Sequence, residues 1–144
     1  MSKYTGGVNV NAWRTVYSPG LRFAGPPSLP QAKKKDKLYV MNRIAFKMKL
    51  FPGFAAEYKE RHDEIWPGLV EILKDAGISD YSIFIDEETN LLFAVLRAES
   101  IEKVDDLSAN PIMQQWWQFM SDIMECNTDN SPVSIPLKEV FYLA

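Results

Sequence analysis

The sequence predicts an α+β domain with the element order β-α-β-β-α-β, the ferredoxin-like pattern of an antiparallel four-stranded sheet with helices on one face. Three observations support this prediction. Residues 43–50 alternate apolar and polar side chains, as a strand with one buried face does. Residues 54–76 repeat apolar side chains every three or four positions, as an amphipathic helix does. Residues 80–98 hold two strand-like runs around the turn-rich segment DEETN.

The first helix contains a signal for a break. Pro67 lies inside the periodic stretch from Phe54 to about Ala76, where it removes a helical hydrogen bond and disfavours helical geometry at Trp66. We therefore expect a kink or a break at this point, and we expect Gly77 to end the helix.

The hairpin is predicted from two strand-like runs, and the second long helix is predicted from a helix-capping residue. Residues 80–85 and 91–98 should form the hairpin, and the second run is apolar on both faces, which predicts a central strand. A short helical piece is expected at 102–107. Asn110 and Pro111 then predict the start of a helix that runs through residue 125.

The last predicted strand, KEVFYL at 138–143, bears on oligomeric state. Its apolar side chains lie on both faces, and the central strand is also apolar on both faces. A single chain would leave part of this apolar surface in water, so we expect a second subunit to cover it. Two such sheets facing each other would form a dimeric α/β barrel.

Composition divides the chain into two parts. Residues 1–40 are rich in glycine and proline and hold seven Lys or Arg and one acid, which predicts a disordered or loosely attached basic leader, with a targeting segment as the alternative. The whole chain has 16 basic and 19 acidic residues, so residues 41–144, the predicted folded domain, hold 9 and 18. An acidic body repels phosphate backbones, which argues against nucleic acid as a partner.

Several other kinds of site are not expected. The one cysteine, Cys126, cannot form a disulfide within the chain, which favours a reducing compartment such as the cytoplasm. The chain has one histidine and no HExxH, CxxC, GxGxxG or Walker sequence, so we expect no metal and no nucleotide cofactor. No apolar run approaches the roughly 20 residues of a membrane span, so we expect no membrane partner.

The candidate chemistry centres on His62, the only histidine. Tyr58 and His62 are four residues apart, so their side chains share one face of the predicted helix. Histidine exchanges protons near neutral pH and therefore suits general acid–base catalysis. The alternative is a core histidine that is satisfied by a backbone carbonyl.

Three further aromatic residues are candidates for ligand binding. Trp116 and Trp117 are adjacent, so on a helix they point about 100° apart and cannot bury in the same place. Aromatic faces can bind the C–H faces of sugars. The alternative is that the pair fills the core and a dimer contact, and that Tyr81, a strand aromatic, is ordinary strand packing.

Taken together, these stretches closely resemble the L-rhamnose mutarotase family. The resemblance rests on AFKMKLFPGFAAEYKERHDEIWPGL, DYSIFIDEETNLLFAVL, QQWWQFMSDIM and NTDNSPV…EVFYL, and it covers essentially all of 41–144 and none of 1–40. It implies a homodimeric α/β barrel that interconverts the α and β anomers of L-rhamnopyranose without metal or organic cofactor. A departure is Thr128, where many members have proline.

The resemblance also implies roles for individual residues. His62 matches the family's proton donor. Tyr58, Tyr81, Trp116 and Trp117 match its sugar-binding positions. Two alternatives remain open because a fold does not determine a function: a sugar sensor that binds without turnover, and a cofactor-free enzyme of the same fold acting on another substrate.

Overall fold

The computed structural model describes residues 41–144, and the leader predicted at 1–40 lies outside the described residues. One antiparallel sheet has the strand order β2-β3-β1-β4. Its strands are β1 (Asn42–Lys49), β2 (Ile78–Asp86), β3 (Leu91–Ala98) and β4 (Ile135–Pro136). The predicted α+β class is confirmed, and the second hairpin strand is an inner strand of the sheet, as expected.

The helices occupy the two connections of the predicted pattern. They are α1 (Ala55–Asp63), α2 (Pro67–Asp75), α3 (Ile101–Asp106), which continues into a 3-10 turn (Leu107–Ala109), and α4 (Pro111–Met120). None of the helices within residues 41–144 is long and apolar enough to cross a membrane.

The local break and cap signals act as predicted. Trp66 has extended backbone angles (φ −63°, ψ 130°) and separates α1 from α2, which begins at Pro67. Gly77 follows α2 with φ +77°, the left-handed geometry that glycine adopts without strain. At α4, the Asn110 side chain accepts a hydrogen bond of 2.9 Å from the N–H of Ile112.

The core lies between the sheet and the helices. β1 and β3 alternate buried and half-buried residues, so one face of each strand is turned into the core. The buried strand and helix residues that fill it include Ile44, Phe46, Met48, Leu92, Ala94, Leu96, Leu69, Met113 and Met120. Burial of these side chains is the main stabilising contribution to the domain.

The helix predicted to run through residue 125 ends earlier, at Met120. Residues 123–125 instead pair with the chain at the end of β1: Phe51 donates to the Ile123 carbonyl and Glu125 donates to the Lys49 carbonyl, each over 2.9 Å. The side chains of Ile123 and Met124 are buried there. Tertiary pairing therefore overrides the helical pattern of this segment.

The strand predicted at 138–143 is wrong, because the fourth strand is the two-residue β4. Proline has no N–H to donate, and backbone pairing with β1 ends one residue after Pro136, where Leu137 donates to the Ala45 carbonyl over 2.9 Å. We call residues 138–143 the C-terminal segment. Side-chain contacts of Arg43 hold it beside β1, one to Glu139 at 3.1 Å and one over the Tyr142 ring at 3.8 Å.

Candidate functional site

The position of His62 follows from α1. It lies in the last turn of this helix, and its Nδ1 is 2.9 Å from the backbone carbonyl oxygen of Tyr58, one turn earlier. A carbonyl oxygen only accepts hydrogen bonds, so Nδ1 carries the hydrogen. The other ring nitrogen, Nε2, has no hydrogen-bond partner among residues 41–144. The carbonyl partner expected of a core histidine is present, but it engages only one of the two nitrogens.

Tyr58 lies against the face of the imidazole. The two rings stack with centroids 4.3 Å apart and planes 30° from parallel, and Tyr58 is only 8% exposed. Burial raises the pKa of the Tyr58 phenol well above its ordinary value of 10.0, and an interaction with Tyr81 raises it further. The phenol is therefore a neutral group at physiological pH, able to donate a hydrogen bond.

The environment keeps the His62 ring largely uncharged. Burial lowers its pKa below the ordinary value of 6.5, and this effect outweighs the hydrogen bond to the Tyr58 carbonyl and the charge of Asp63, which both act to raise it. At neutral pH the ring therefore offers an unprotonated Nε2 and a protonated Nδ1. It can accept a proton from a ligand without first losing one.

An aromatic wall completes this side of the site. Trp116 of α4 meets the His62 ring edge-on at 5.3 Å, and Trp66 meets Trp116 edge-on at 5.2 Å. Phe119 packs against both tryptophans, at 5.6 Å from Trp66 and 5.7 Å from Trp116. Sequence reasoning identified Trp116 but assigned no site role to Trp66 or Phe119. Phe119 lies one helical turn after Trp116 on α4, whereas Trp66 lies at the break between α1 and α2.

Trp117 is placed differently from its neighbour. Trp116 is buried and contacts His62, whereas Trp117 is half-buried and packs against the edge of the hydrophobic core. The separation of about 100° between adjacent helical residues produces this split. The structure thus brings Tyr58, His62 and Trp116 together and leaves Trp117 outside their ring contacts.

Tyr81 lies at an irregularity of β2. Ser79 pairs with Arg97 and Ser82 pairs with Val95, so two residues of β2, Asp80 and Tyr81, oppose one residue of β3. Asp80 has φ +47°, which is unusual for a residue other than glycine. Such a bulge bends a strand and re-aims a side chain. The alternating sequence of β2 contains no signal for it.

The bulge leaves Tyr81 on the helix-bearing face of the sheet. Ile83 pairs with the buried Ala94, and Tyr81 lies two residues before Ile83, on the same face. Tyr81 remains 41% exposed, yet its hydroxyl is surrounded by enough protein to raise its pKa to about 12.

Arg61 ties α1 to the end of α4 and was not identified from the sequence. Its guanidinium bonds Glu57 at 2.8 Å, bonds Asp122 at 2.8 and 3.2 Å, and donates to the Phe119 carbonyl. It also lies over the Phe119 ring, 4.4 Å from the centroid. These contacts hold the aromatic wall against the helix that carries His62.

Comparison with known proteins decides the family. A family model described as L-rhamnose mutarotase matches residues 43–143. The chain belongs to the L-rhamnose mutarotase family. The resemblance expected from its sequence motifs is therefore confirmed.

Named relatives and a solved structure agree with this membership. An L-rhamnose mutarotase of Formosa agariphila is 59% identical over 103 residues, which are 72% of this chain and 99% of the relative. One of Sinorhizobium fredii is 57% identical over 104 residues, 72% of this chain and all of the relative. The crystal structure of the L-rhamnose mutarotase from Formosa agariphila superposes with a TM-score of 0.67 at 58% identity, covering 72% of this chain and 99% of that one.

Proposed function

We propose that this chain interconverts the α and β anomers of L-rhamnopyranose by acid–base-catalysed opening and closing of the sugar ring. One observation carries the proposal: the only histidine lies between Tyr58 and Trp116, its Nε2 has no hydrogen-bond partner among residues 41–144, and the chain belongs to the L-rhamnose mutarotase family. The reaction class is that of a carbohydrate isomerase.

The chemistry of the reaction matches the residues of the site. Opening a hemiacetal removes the proton of the anomeric hydroxyl and adds a proton to the ring oxygen, and closing reverses both transfers. These steps require proton exchange near neutral pH and no redox change, nucleophile or Lewis acid. His62 is suited to such an exchange, and the proposed reaction accordingly uses no metal or organic cofactor.

The aromatic residues are proposed to bind the sugar. Trp116, in contact with the His62 ring, would place an apolar face against the C–H groups of the pyranose. The Tyr58 and Tyr81 hydroxyls are neutral donors for its oxygens. Trp117 is included on the family resemblance, and as a half-buried residue it retains surface that a ligand can contact.

We further propose that the active form is a homodimeric α/β barrel. The supporting observation is the apolar surface that residues 41–144 leave uncovered: Val140 of the C-terminal segment is 90% exposed, Phe141 is 78% exposed, and Phe84 of β2 is also exposed. Monomeric proteins rarely leave large apolar patches in water. The presence of only one cysteine supports a reducing location, which we propose to be the cytoplasm.

Magnetisation exchange between the two anomeric protons of L-rhamnose tests the activity directly. We expect saturation transfer between the α and β signals to increase on addition of the protein and to fall to the spontaneous level with His62→Ala. Glu60→Ala is a matched control, because Glu60 lies on the same helix with an exposed side chain. Loss of transfer in both variants, or persistence in His62→Ala, would contradict the role of His62.

A further inference from the structure

The C-terminal end of α4 is capped by a side chain from another helix. The last four carbonyl groups of an α-helix have no N–H partner within the helix. In α4, which ends at Met120, the Phe119 carbonyl is one of these groups. Arg61 of α1 donates a hydrogen bond to it from Nη1. A cation is also favoured at this end of a helix, where the dipole is negative.

Further contacts fix the Arg61 guanidinium in this position. Nε donates to Glu57, one turn earlier on α1, over 2.8 Å, and Nη1 and Nη2 donate to the two carboxylate oxygens of Asp122 over 2.8 and 3.2 Å. The guanidinium lies over the Phe119 ring. A planar group that forms two parallel bonds to a carboxylate holds one geometry, which the single ammonium of lysine cannot reproduce.

The end of α4 that Arg61 holds also carries the rings that reach His62. Phe119 packs against Trp116 with centroids 5.7 Å apart, and Trp116 meets the His62 ring edge-on at 5.3 Å. His62 directly follows Arg61 in α1. The same turn of α1 therefore carries the imidazole and fixes the helix that packs against it.

Resting on the function proposed above, we infer that Arg61 is a positioning residue for the sugar: by capping α4 it sets the distance between Trp116 and the His62 ring. The guanidinium bonds Glu57, Asp122 and the Phe119 carbonyl, so it acts through the helix that it holds. The consequence is that Arg61 determines the affinity for the sugar and leaves the rate of proton transfer nearly unchanged.

The charges of this link stay constant over the pH range in which histidine titrates. Hydrogen bonding to Arg61 lowers the pKa of the Asp122 carboxyl, and hydrogen bonding to Asp122 raises the pKa of the Arg61 guanidinium. Both groups are therefore charged at neutral pH. A change in the link should follow from substitution and not from pH.

Arg61→Lys tests the effect on affinity, because it keeps the charge and removes the paired bonds. The measurement is saturation transfer between the anomeric protons over a range of L-rhamnose concentrations. We expect the half-saturation concentration to rise about tenfold and the maximal rate to change by less than about twofold. An unchanged half-saturation concentration, or a maximal rate that falls as far as this concentration rises, would overturn the inference.

Asp122→Asn is a milder second variant, since it leaves the Arg61 bond to the Phe119 carbonyl in place. It should raise the half-saturation concentration by a smaller factor. The double variant should resemble Arg61→Lys alone, because both substitutions break one link. Two effects that simply multiply would show that Arg61 and Asp122 act independently and would overturn the link. Lys59→Ala, which removes an exposed ion pair of α1, should change neither constant.

The lone histidine gives a measurement that does not depend on activity. In protein without a histidine tag, one set of imidazole C–H signals belongs to His62, whose ring lies against the rings of Tyr58 and Trp116. At about pH 8, where the ring is neutral, we expect these signals to move towards the shifts of an unfolded chain in Arg61→Lys and to stay in place in Lys59→Ala.

Circular dichroism establishes that each variant is folded, and Asp122→Asn provides the same comparison through a smaller change. Unchanged His62 signals in folded Arg61→Lys would overturn the inference whether or not the chain acts on rhamnose. Shifted signals, in a chain whose wild type shows no anomeric exchange, would remove the proposed function and the effect on sugar affinity. That outcome would leave the placement of Trp116 by Arg61 standing.

Discussion

Two aromatic regions of this chain are packed in opposite ways. The site cluster, which we define as Tyr58, His62, Trp66, Trp116 and Phe119, has each ring in contact with at least one other, and these contacts join three segments of the chain. The C-terminal segment also holds apolar side chains, yet those of Val140, Phe141 and Leu143 are exposed to water. Composition is therefore a poor guide to how tightly a region is held, because contact with a complementary surface supplies the energy.

This difference in packing also corresponds to two different proposed roles, a ligand site in the cluster and a subunit contact in the C-terminal segment. The cluster is complete within one chain and presents a histidine with a defined hydrogen bond. Within residues 41–144, Val140, Phe141 and Leu143 of the C-terminal segment stay exposed, and we propose that a second subunit covers them. Four predictions test this contrast, from the largest expected effect to the smallest.

Trp116→Ala should have the largest effect on the fold. Trp116 is buried and contacts three members of the cluster, so its removal leaves a cavity and should lower the free energy of unfolding by about 3–5 kcal/mol. Urea denaturation followed by circular dichroism measures this loss. Phe141→Ala is the control, and at concentrations low enough for a monomer its effect should stay below about 0.5 kcal/mol. Equal losses of unfolding free energy in the two variants would show that the site cluster and the C-terminal segment do not differ in how tightly they are packed.

Phe141→Asp should weaken self-association without unfolding the chain. If a second subunit covers the C-terminal segment, a buried charge there should raise the dimer dissociation constant by about 100-fold, which corresponds to about 2.7 kcal/mol. Sedimentation velocity over a concentration series measures it. Lys138→Asn, at an exposed polar position of the same segment, should leave the constant unchanged. A wild-type chain that stays monomeric at micromolar concentration would contradict the dimer.

Arg61→Ala should loosen the cluster by a smaller amount. The Arg61 side chain is only 12% exposed and bonds Glu57, Asp122 and the Phe119 carbonyl, so we expect a loss of about 1–2 kcal/mol in unfolding free energy. Lys59→Ala is matched to it, because Lys59 also pairs along α1, with Asp63, but both partners are exposed. Lys59→Ala should change the free energy of unfolding by close to zero, as for most surface ion pairs. Thermal unfolding of both variants would show the difference, and equal shifts would argue against a positioning role.

The smallest expected effect is a pH dependence of stability. The pKa of His62 is lower in the folded chain than in the unfolded one, so the unfolded chain binds the proton more readily. The contribution of His62 to the free energy of unfolding is therefore present in full at pH values above about 6.5, its pKa in the unfolded chain. This contribution decreases as the pH falls below that value. Unfolding free energies between about pH 7.5 and pH 5 should decrease less in His62→Gln than in wild type. A steeper decrease in the variant would mean that His62 is stabilised in its charged form.

Much of the fold followed from local sequence signals. Strand β1 and the hairpin β2–β3 were predicted from alternation and turn residues, and the break at Trp66 was predicted from Pro67. Within the site, the spacing of Tyr58 and His62 predicted a shared face, and their rings do stack. These features depend on residues close in the chain, where backbone geometry leaves few options.

The sequence by itself therefore determined the α+β order of elements, the helix break, the cap at Asn110 and the pairing of Tyr58 with His62. Tertiary structure alone decided where α4 ends, where the fourth strand lies, that Trp116 and not Trp117 meets His62, and that Tyr81 lies in a bulge of β2. The physical reason is the range of the interactions. Dihedral preferences and caps act over a few residues, whereas competition for backbone partners and buried space is settled between segments far apart in the chain.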